Sequence, residues 1–195
     1  MMNKKLVIID NDKNQFVELR LPIINELIRH DIYIYLIIPF DLNISIKNLK
    51  VIKVNNLNNI GGVIKSLIRI YQVNKKSSLQ GVITFSARNH LIGSLANFFF
   101  NLNFIPVING LGQMIKKSEK VTILGFFFIK IIKYSCKKMI VQNTHLFNLF
   151  KPNSYLIKGS GVKIDNLKSD LNISEPPIFM YLGRLLYAKG IKKLL

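Results

Sequence analysis

The sequence predicts an α/β protein built on a doubly wound parallel sheet. Three observations indicate this fold class: short apolar runs typical of buried strands, longer segments with apolar residues at helical spacing, and the regular alternation of the two. Such alternation favours parallel pairing of the strands, with helices on both faces of the sheet. Of the 195 residues, 49% are hydrophobic and 19% are charged, which excludes intrinsic disorder.

The first two predicted elements are a strand and a helix. Residues 6–9 form a short apolar run that predicts a buried strand, and the polar residues 10–12 predict its exit turn. Residues 16–29 carry apolar side chains at helical spacing and predict the first helix. Pro22 lies inside this segment, so we expect it to kink the helix or to mark its true first turn.

The remaining elements repeat this alternation. Further strands are predicted at 32–38, 51–54, 81–85, 105–108, 138–141 and 155–158. Further helices are predicted at 61–71, 90–100, 121–134 and 144–150. Because crossovers between parallel strands are right-handed, these elements predict a Rossmann-like, doubly wound sheet.

The chain divides into a long first part and a short last part. Residues 1–164 predict one complete domain, and residues 165–177, which are polar and contain a Pro-Pro pair, predict a linker. Residues 178–195 begin with a new apolar strand and stop within an amphipathic helix. A lone strand and a helix start cannot bury a core. We therefore interpret 178–195 as the opening of a second, truncated α/β domain.

The chain is strongly basic, since 28 lysine and arginine residues against 10 acidic ones give a net charge of +18. Such a surface attracts polyanions, either nucleic acid or an anionic membrane leaflet. The chain is also rich in Lys, Ile and Asn, which an AT-rich genome supplies, so compositional drift explains the charge equally well.

Metal and disulfide chemistry have little support in the composition. A single cysteine, Cys136, excludes a disulfide framework and a cysteine-cluster zinc site. The three histidines are too far apart in the chain for a local metal motif.

Two apolar stretches are candidates for membrane spans. Residues 91–115 carry no charge and could cross ~30 Å of hydrocarbon, but their asparagines, glycines and Pro106 would leave polar groups unpaired in lipid. Residues 121–132 are too short and include Lys130. The apolar run that follows the first five residues is also too short for the hydrophobic region of a signal peptide. We therefore expect a reduced, cytoplasmic protein without a spanning segment, which is still compatible with contact at a membrane surface.

The sequence GRLLYAKG at 183–190 directly follows a predicted strand. In an open α/β sheet, ligands bind beyond the carboxyl ends of the strands and near helix N-termini, so Arg184 and Lys189 would reach such a crevice. An arginine fork suits bidentate phosphate contacts, and a lysine adds a mobile charge. The alternative interpretation is two solvated cations in a lysine-rich protein.

Several short motifs occur in a fixed order along the chain. They are LRLP at 19–22, PFD at 39–41, NGLG at 109–112, QN at 142–143, GSGVKID at 159–165 and FMYLGRLLYAKGI at 179–191. Together they resemble the retaining GT-B glycosyltransferases of family 4, particularly members that build bacterial O-antigens and capsules. The resemblance covers nearly the whole chain. It implies that 1–164 is the N-terminal, acceptor-side half of a GT-B fold and that 178–195 begins the donor-binding half.

The resemblance also implies residue roles. Gly183, Arg184 and Lys189 would hold the diphosphate of a nucleotide-sugar donor, and Gly159 and Gly161 would join the two domains. The acceptor side would be formed by residues from three segments of the first domain: Asn14, Phe16, Arg20, Arg88, His90, Asn109, Gly110 and Gly112. In the 109–112 loop, missing side chains would let backbone N–H groups approach a sugar or a phosphate, although a simple tight turn explains these glycines equally well.

The sequence departs from the family pattern at several positions. Leu19 stands where members commonly carry a histidine, and Arg88-Asn89-His90 stands where many carry Lys-Pro. The paired glutamates of the family would lie beyond Leu195.

The mechanism that the resemblance implies is transfer of a sugar with retention of its anomeric configuration. No side chain is an evident nucleophile, and Arg184 and Lys189 would stabilise the departing diphosphate electrostatically, without a metal or another cofactor.

The acceptor that the resemblance implies is a glycan on polyprenyl diphosphate at the inner face of the membrane. Lysines would then contact anionic lipid, and the aromatic triplets 98–100 and 126–128 could enter the interface, although core packing is the more common role of such residues. Two other functions stay open: a nucleic-acid-binding module, for which no specific motif occurs, and a non-catalytic remnant domain.

Overall fold

The computed structural model describes residues 4–110, 123–159 and 161. Within these residues the chain forms one seven-stranded parallel sheet in the order β3-β2-β1-β4-β5-β6-β7. The strands are β1 (Lys5–Ile9), β2 (Tyr33–Ile38), β3 (Leu49–Lys53), β4 (Gly81–Phe85), β5 (Asn103–Ile108), β6 (Met139–Val141) and β7 (Ser154–Leu156). The predicted α/β, Rossmann-like sheet is confirmed.

Helices cover both faces of this sheet. They are α1 (Lys13–Gln15), which continues through a π-helical turn (Phe16–Arg20) into α2 (Leu21–Arg29), then α3 (Ile60–Ser77), α4 (Ala87–Phe100), α5 (Ile123–Ser135) and α6 (Thr144–Phe150). Alternate residues of the strands point to opposite faces, so β1 contributes Val7 and Ile9 to one core cluster and Ile8 to another. The first cluster lies under α3 and α4, and the second lies under α2. A third cluster lies under α5 and α6.

The first helix has a more complex structure than its periodicity predicts. It begins at Lys13, where the Asp12 side chain accepts hydrogen bonds from the N–H groups of Asn14 and Gln15. Pro22 lies in the first turn of α2, as one of the two sequence-based alternatives predicted. Helix α3 extends to Ser77, beyond the predicted end at residue 71. The predicted linker 165–177 and the predicted second-domain segment 178–195 lie outside the described residues.

Helix α4 approaches the sheet closely at Gly93. A Cβ atom at this position would collide with the ring of Phe104 and would lie 2.9 Å from the Cγ2 atom of Thr84. Glycine at this position therefore sets the distance between α4 and strands β4 and β5.

We expect Gly93→Ala to destabilise the fold by about 1–3 kcal/mol, because overpacking outweighs the gain in helix propensity. Denaturant unfolding followed by circular dichroism measures this loss. Gly61→Ala in the first turn of α3 is the matched control, since its added methyl would meet only the Asn59 side chain at 3.7 Å. Equal stabilities of the two variants would contradict the proposed close approach.

Candidate functional site

A polar pocket lies where the strand order reverses. The chain forms β1, β2 and β3 in order toward one edge of the sheet and then returns to form β4 on the other side of β1. Strand β1 therefore pairs with β2 on one side and with β4 on the other. In doubly wound sheets, ligands bind beyond the carboxyl ends of the strands at such a switch point. The residues that follow β1, β4 and β5 surround a cavity of about 170 Å³ here. Its lining includes Asp10, Asn11, Asp12, Gln15, Arg20, Phe85, Ser86, Ala87, His90, Asn109, Gly110 and Phe128.

A buried ion pair forms one wall of the pocket. The Nε atom of Arg20 donates a hydrogen bond of 3.0 Å to the Oδ2 atom of Asp10, and both side chains are almost fully buried. The other carboxylate oxygen accepts hydrogen bonds from the N–H groups of Asn11 and Asp12, at 2.7 and 3.0 Å. The Arg20 guanidinium lies 4.1 Å from the centre of the Phe85 ring. The pair thus connects the end of β1 to the π-helical turn.

Arg20 keeps one buried donor without a partner. Its Nη1 atom has no hydrogen-bond partner within the part of the chain that the structure describes. A buried, unpaired donor is costly, so a group that offers an oxygen atom at this wall would relieve the cost. Burial raises the pKa of Asp10, and the N–H groups of Asp12 and Asn11 and the charge of Arg20 oppose that increase.

His90 presents a neutral imidazole to the pocket. Its Nδ1 atom lies 2.7 Å from the hydroxyl oxygen of Thr84, and its ring lies between the rings of Phe104 and Phe128. Burial lowers the pKa of His90 to about 3. At neutral pH the imidazole therefore acts as a hydrogen-bonding group and carries no positive charge.

The turn after β4 is strained. Ser86 adopts φ 72° and ψ 150°, a conformation that residues other than glycine rarely adopt. Its hydroxyl donates to the Oδ1 atom of Asn11 at 3.0 Å, and the Asn89 amide donates to the Phe85 carbonyl at 2.7 Å and to the Ile9 carbonyl at 3.5 Å. These contacts hold the exits of β1 and β4 together. Strain of this kind often marks a functional site.

The structure separates the predicted acceptor-side residues into two groups. Arg20, His90, Asn109 and Gly110 line the pocket together, and no atom of the described residues lies within 4 Å of the position that a Cβ atom of Gly110 would take. Phe16 was predicted to face this cleft, but its side chain is fully buried and packs edge-on against Phe40 at 5.6 Å. It is therefore a core residue, because its ring belongs to the apolar cluster between the sheet and α2.

Two other predicted residues do not line the pocket. Asn14 is exposed in α1, and Arg88 is exposed at the start of α4, where its Nη1 atom contacts the Asn58 carbonyl at 3.4 Å. Gly159 and Gly161 adopt positive φ values of 82° and 75°, which glycine tolerates without strain.

Four predicted residues, Gly112, Gly183, Arg184 and Lys189, lie outside the described residues. Their predicted roles at the acceptor loop and at the donor diphosphate stay predictions.

The sequence-based prediction missed several pocket residues. Residues 10–12 are predicted only as an exit turn and Ser86 has no predicted role, although Asp10 and Ser86 each directly follow a predicted strand and all four residues line the pocket. Polar residues at the carboxyl ends of parallel strands were the available signal, since these ends share one edge of the sheet.

Comparisons with known proteins identify the fold. No known protein family and no curated protein matches this sequence. Among solved structures, UDP-N-acetylglucosamine 2-epimerase from Rickettsia bellii is similar with a TM-score of 0.58 and 14% identity, over 80% of this chain and 44% of that chain.

Two further solved structures have a similar fold over the same part of this chain. Sucrose-phosphate synthase from Thermosynechococcus elongatus has a TM-score of 0.58 and 10% identity, over 79% of this chain and 47% of that chain. An Anabaena protein solved in complex with UDP and glucose has a TM-score of 0.55 and 11% identity, over 79% of this chain and 44% of that chain. This chain therefore spans less than half the length of these proteins. The described residues have the Rossmann-like fold of a GT-B N-terminal domain.

Across 4–110, 123–159 and 161, no cluster of three His, Cys, Asp or Glu side chains could hold a metal ion. Within the same ranges, no helix has both the length and the hydropathy needed to cross a bilayer.

The low pKa of His90 predicts acid-sensitive folding. The ordinary pKa of histidine is 6.5 and burial lowers the pKa of native His90 to about 3, so its contribution to stability is complete above pH 6.5 and is lost as pH falls toward 3. Between pH 7 and pH 5 this loss amounts to about 2 kcal/mol.

We expect His90→Gln to abolish this part of the pH dependence, measured as the difference in unfolding free energy between pH 7 and pH 5. His30→Gln is the control, because the His30 side chain is 72% exposed. An unchanged pH dependence in His90→Gln would show that the imidazole is not buried as described.

Proposed function

We propose that this chain is part of a glycosyltransferase that uses a nucleotide-sugar donor, with residues 1–164 on its acceptor side. The polar pocket at the switch point carries this proposal, since it combines a buried arginine, a neutral histidine and an exposed asparagine-glycine turn at the place where this fold class binds ligands. Two of the similar structures support it, because one is a UDP-N-acetylglucosamine 2-epimerase and the other was solved with UDP and glucose. This support favours a sugar-related function over nucleic-acid binding or a non-catalytic remnant.

The chemistry of the pocket suits part of a glycan acceptor. Its volume of about 170 Å³ equals that of roughly six water molecules at ~30 Å³ each, which admits a single sugar ring or a phosphate. The uncharged imidazole of His90 and the amide of Asn109 can exchange hydrogen bonds with hydroxyl groups. The unpaired Nη1 donor of Arg20 favours an oxygen at the wall beside Asp10.

We place the donor site on Gly183, Arg184 and Lys189. The two cations would hold the diphosphate and stabilise its charge as it departs, without a metal ion. The transfer would retain the anomeric configuration, as in the family-4 enzymes that the motif order resembles. Gly159 and Gly161 would connect the acceptor and donor parts.

We place the acceptor on polyprenyl diphosphate at the inner face of the membrane, in the synthesis of an O-antigen or a capsule. The enzyme would then be cytoplasmic and peripheral to an anionic leaflet. The net charge of +18 supports this location.

The donor site is tested by nucleotide-sugar binding. We expect Arg184→Ala to weaken binding of UDP-N-acetylglucosamine about 10–100-fold in calorimetry, because charge-assisted hydrogen bonds contribute about 1.5–3 kcal/mol. Lys192→Ala is the control, as it removes a cation from the same terminal segment outside the motif. Equal affinities of the two variants would remove Arg184 from the donor site.

The acceptor site is tested by the rate of sugar transfer to a polyprenyl-diphosphate glycan. We expect Asn109→Ala to raise KM about tenfold, since it removes one hydrogen-bonding group from the pocket mouth. Asn14→Ala should leave KM unchanged, because Asn14 lies outside the pocket. A loss of activity in Asn14→Ala alone would contradict the proposed acceptor site.

A further inference from the structure

Three neighbouring helices share one exposed surface. Helices α3, α4 and α5 lie side by side over the same sheet face, with α4 in contact with both others. The rings of Tyr71 on α3 and Phe100 on α4 are 5.7 Å apart, and the Asn97 amide donates to the Ser135 carbonyl at the end of α5. We call the solvent side of these helices the three-helix face.

Each helix carries a row of exposed apolar side chains on this face. The rows repeat at helical spacing, so they run along the helix axes. They comprise Ile60, Ile64, Ile68 and Tyr71 on α3, Leu91, Leu95, Phe98 and Phe99 on α4, and Ile123, Phe127, Ile131 and Tyr134 on α5. Phe98 is 80% exposed and Tyr134 is 85% exposed. Single exposed apolar residues are ordinary, but three adjacent rows form a surface that indicates an interaction site.

The charges on the three-helix face have one sign. Helices α3, α4 and α5 contain no aspartate or glutamate, whereas they carry Lys65, Arg69, Arg88, Lys130 and Lys133 on their exposed sides. Every acidic residue in the described ranges lies between Asp10 and Asp41. The Lys130 ammonium lies 4.7 Å from the centre of the Phe126 ring, so cations and aromatic rings are interleaved on this surface.

We propose that the three-helix face docks on the surface of an anionic lipid bilayer. Apolar side chains flanked by lysines and arginines are the combination that binds helices in the membrane interface, where each cation near anionic lipid contributes about 1 kcal/mol. A second copy of the chain fits poorly, since a symmetric dimer would place two acid-free, cationic surfaces against each other.

This orientation determines how the pocket meets the membrane. Helices α4 and α5 begin at the carboxyl edge of the sheet, and Ala87, His90 and Phe128 from their first two turns also line the pocket. The pocket therefore opens beside the docked face. A lipid-linked acceptor would leave the bilayer next to these turns, and this step rests on the membrane acceptor proposed above.

The test is flotation of the full chain with vesicles of phosphatidylcholine alone or of phosphatidylcholine with 30% phosphatidylglycerol. We expect binding to the anionic vesicles at low salt. The double variant Phe98→Ser with Phe127→Ser should lower the partition coefficient at least tenfold. Val17→Ser with Ile23→Ser is the matched control, because both residues are exposed on the opposite side of the sheet.

A second pair of variants tests the charges. Lys130→Gln with Lys133→Gln should weaken binding about 30-fold, since two cations contribute about 2 kcal/mol. Lys13→Gln with Arg29→Gln removes the same charge from α1 and α2 and should have a smaller effect. Circular dichroism confirms that each variant is folded.

Several outcomes would overturn the inference. Equal losses in the face variants and their controls would exclude this face, and loss in the lysine variant without loss in the phenylalanine variant would indicate a purely electrostatic contact. A dimer that Phe98→Ser with Phe127→Ser dissociates in light scattering would identify a second copy as the partner.

The inference and the proposed function can fail separately. Absence of vesicle binding together with intact UDP-N-acetylglucosamine binding would overturn only the membrane contact. Vesicle binding without any nucleotide-sugar binding would overturn only the donor chemistry.

Discussion

The buried ion pair between Asp10 and Arg20 is the interaction on which the site depends. Asp10 directly follows β1 and Arg20 ends the π-helical turn, so their contact fixes the path of the chain from the sheet into α2. Breaking a buried pair by removing one partner costs about 3–5 kcal/mol, because the other charge stays buried without compensation. The backbone N–H groups of Asn11 and Asp12 bind the same carboxylate and shape the pocket wall. A single buried carboxylate therefore organises both the strand exit and the site.

The pocket and the three-helix face differ in their charge, and each suits a different kind of ligand. In the pocket, the charge of Asp10 is compensated by Arg20. His90 is uncharged at neutral pH, because burial lowers its pKa. The three-helix face carries uncompensated positive charge beside exposed aromatic rings. Uncharged hydrogen-bonding groups suit the recognition of sugar hydroxyls, whereas exposed cations suit a polyanionic surface. The two regions meet at the first turns of α4 and α5.

Much of the fold could be predicted from the sequence because its signals are local. The apolar run before Asp10 and the helical spacing after Gly61 depend only on near neighbours, and both elements are present. The end of α3 was predicted too early, since most residues after Tyr71 are polar, yet Val73 packs against the core and the helix continues to Ser77. Arg20 and His90 were predicted on the acceptor side and do line the pocket. Phe16 was assigned to the cleft wrongly, because its side chain belongs to the buried core cluster under α2, as its place in the apolar spacing of residues 16–29 already favoured.

The sequence by itself determined the class of the fold, the alternation of strands and helices, and the excess of positive charge, since these follow from composition and short-range spacing. Only the tertiary structure decided which distant residues share a site. Asn11 and Ser86 are 75 positions apart and form a hydrogen bond because β1 and β4 are neighbours at the switch point. The tertiary structure also decided that three apolar rows face solvent together, because the crossovers place α3, α4 and α5 on the same side of the sheet.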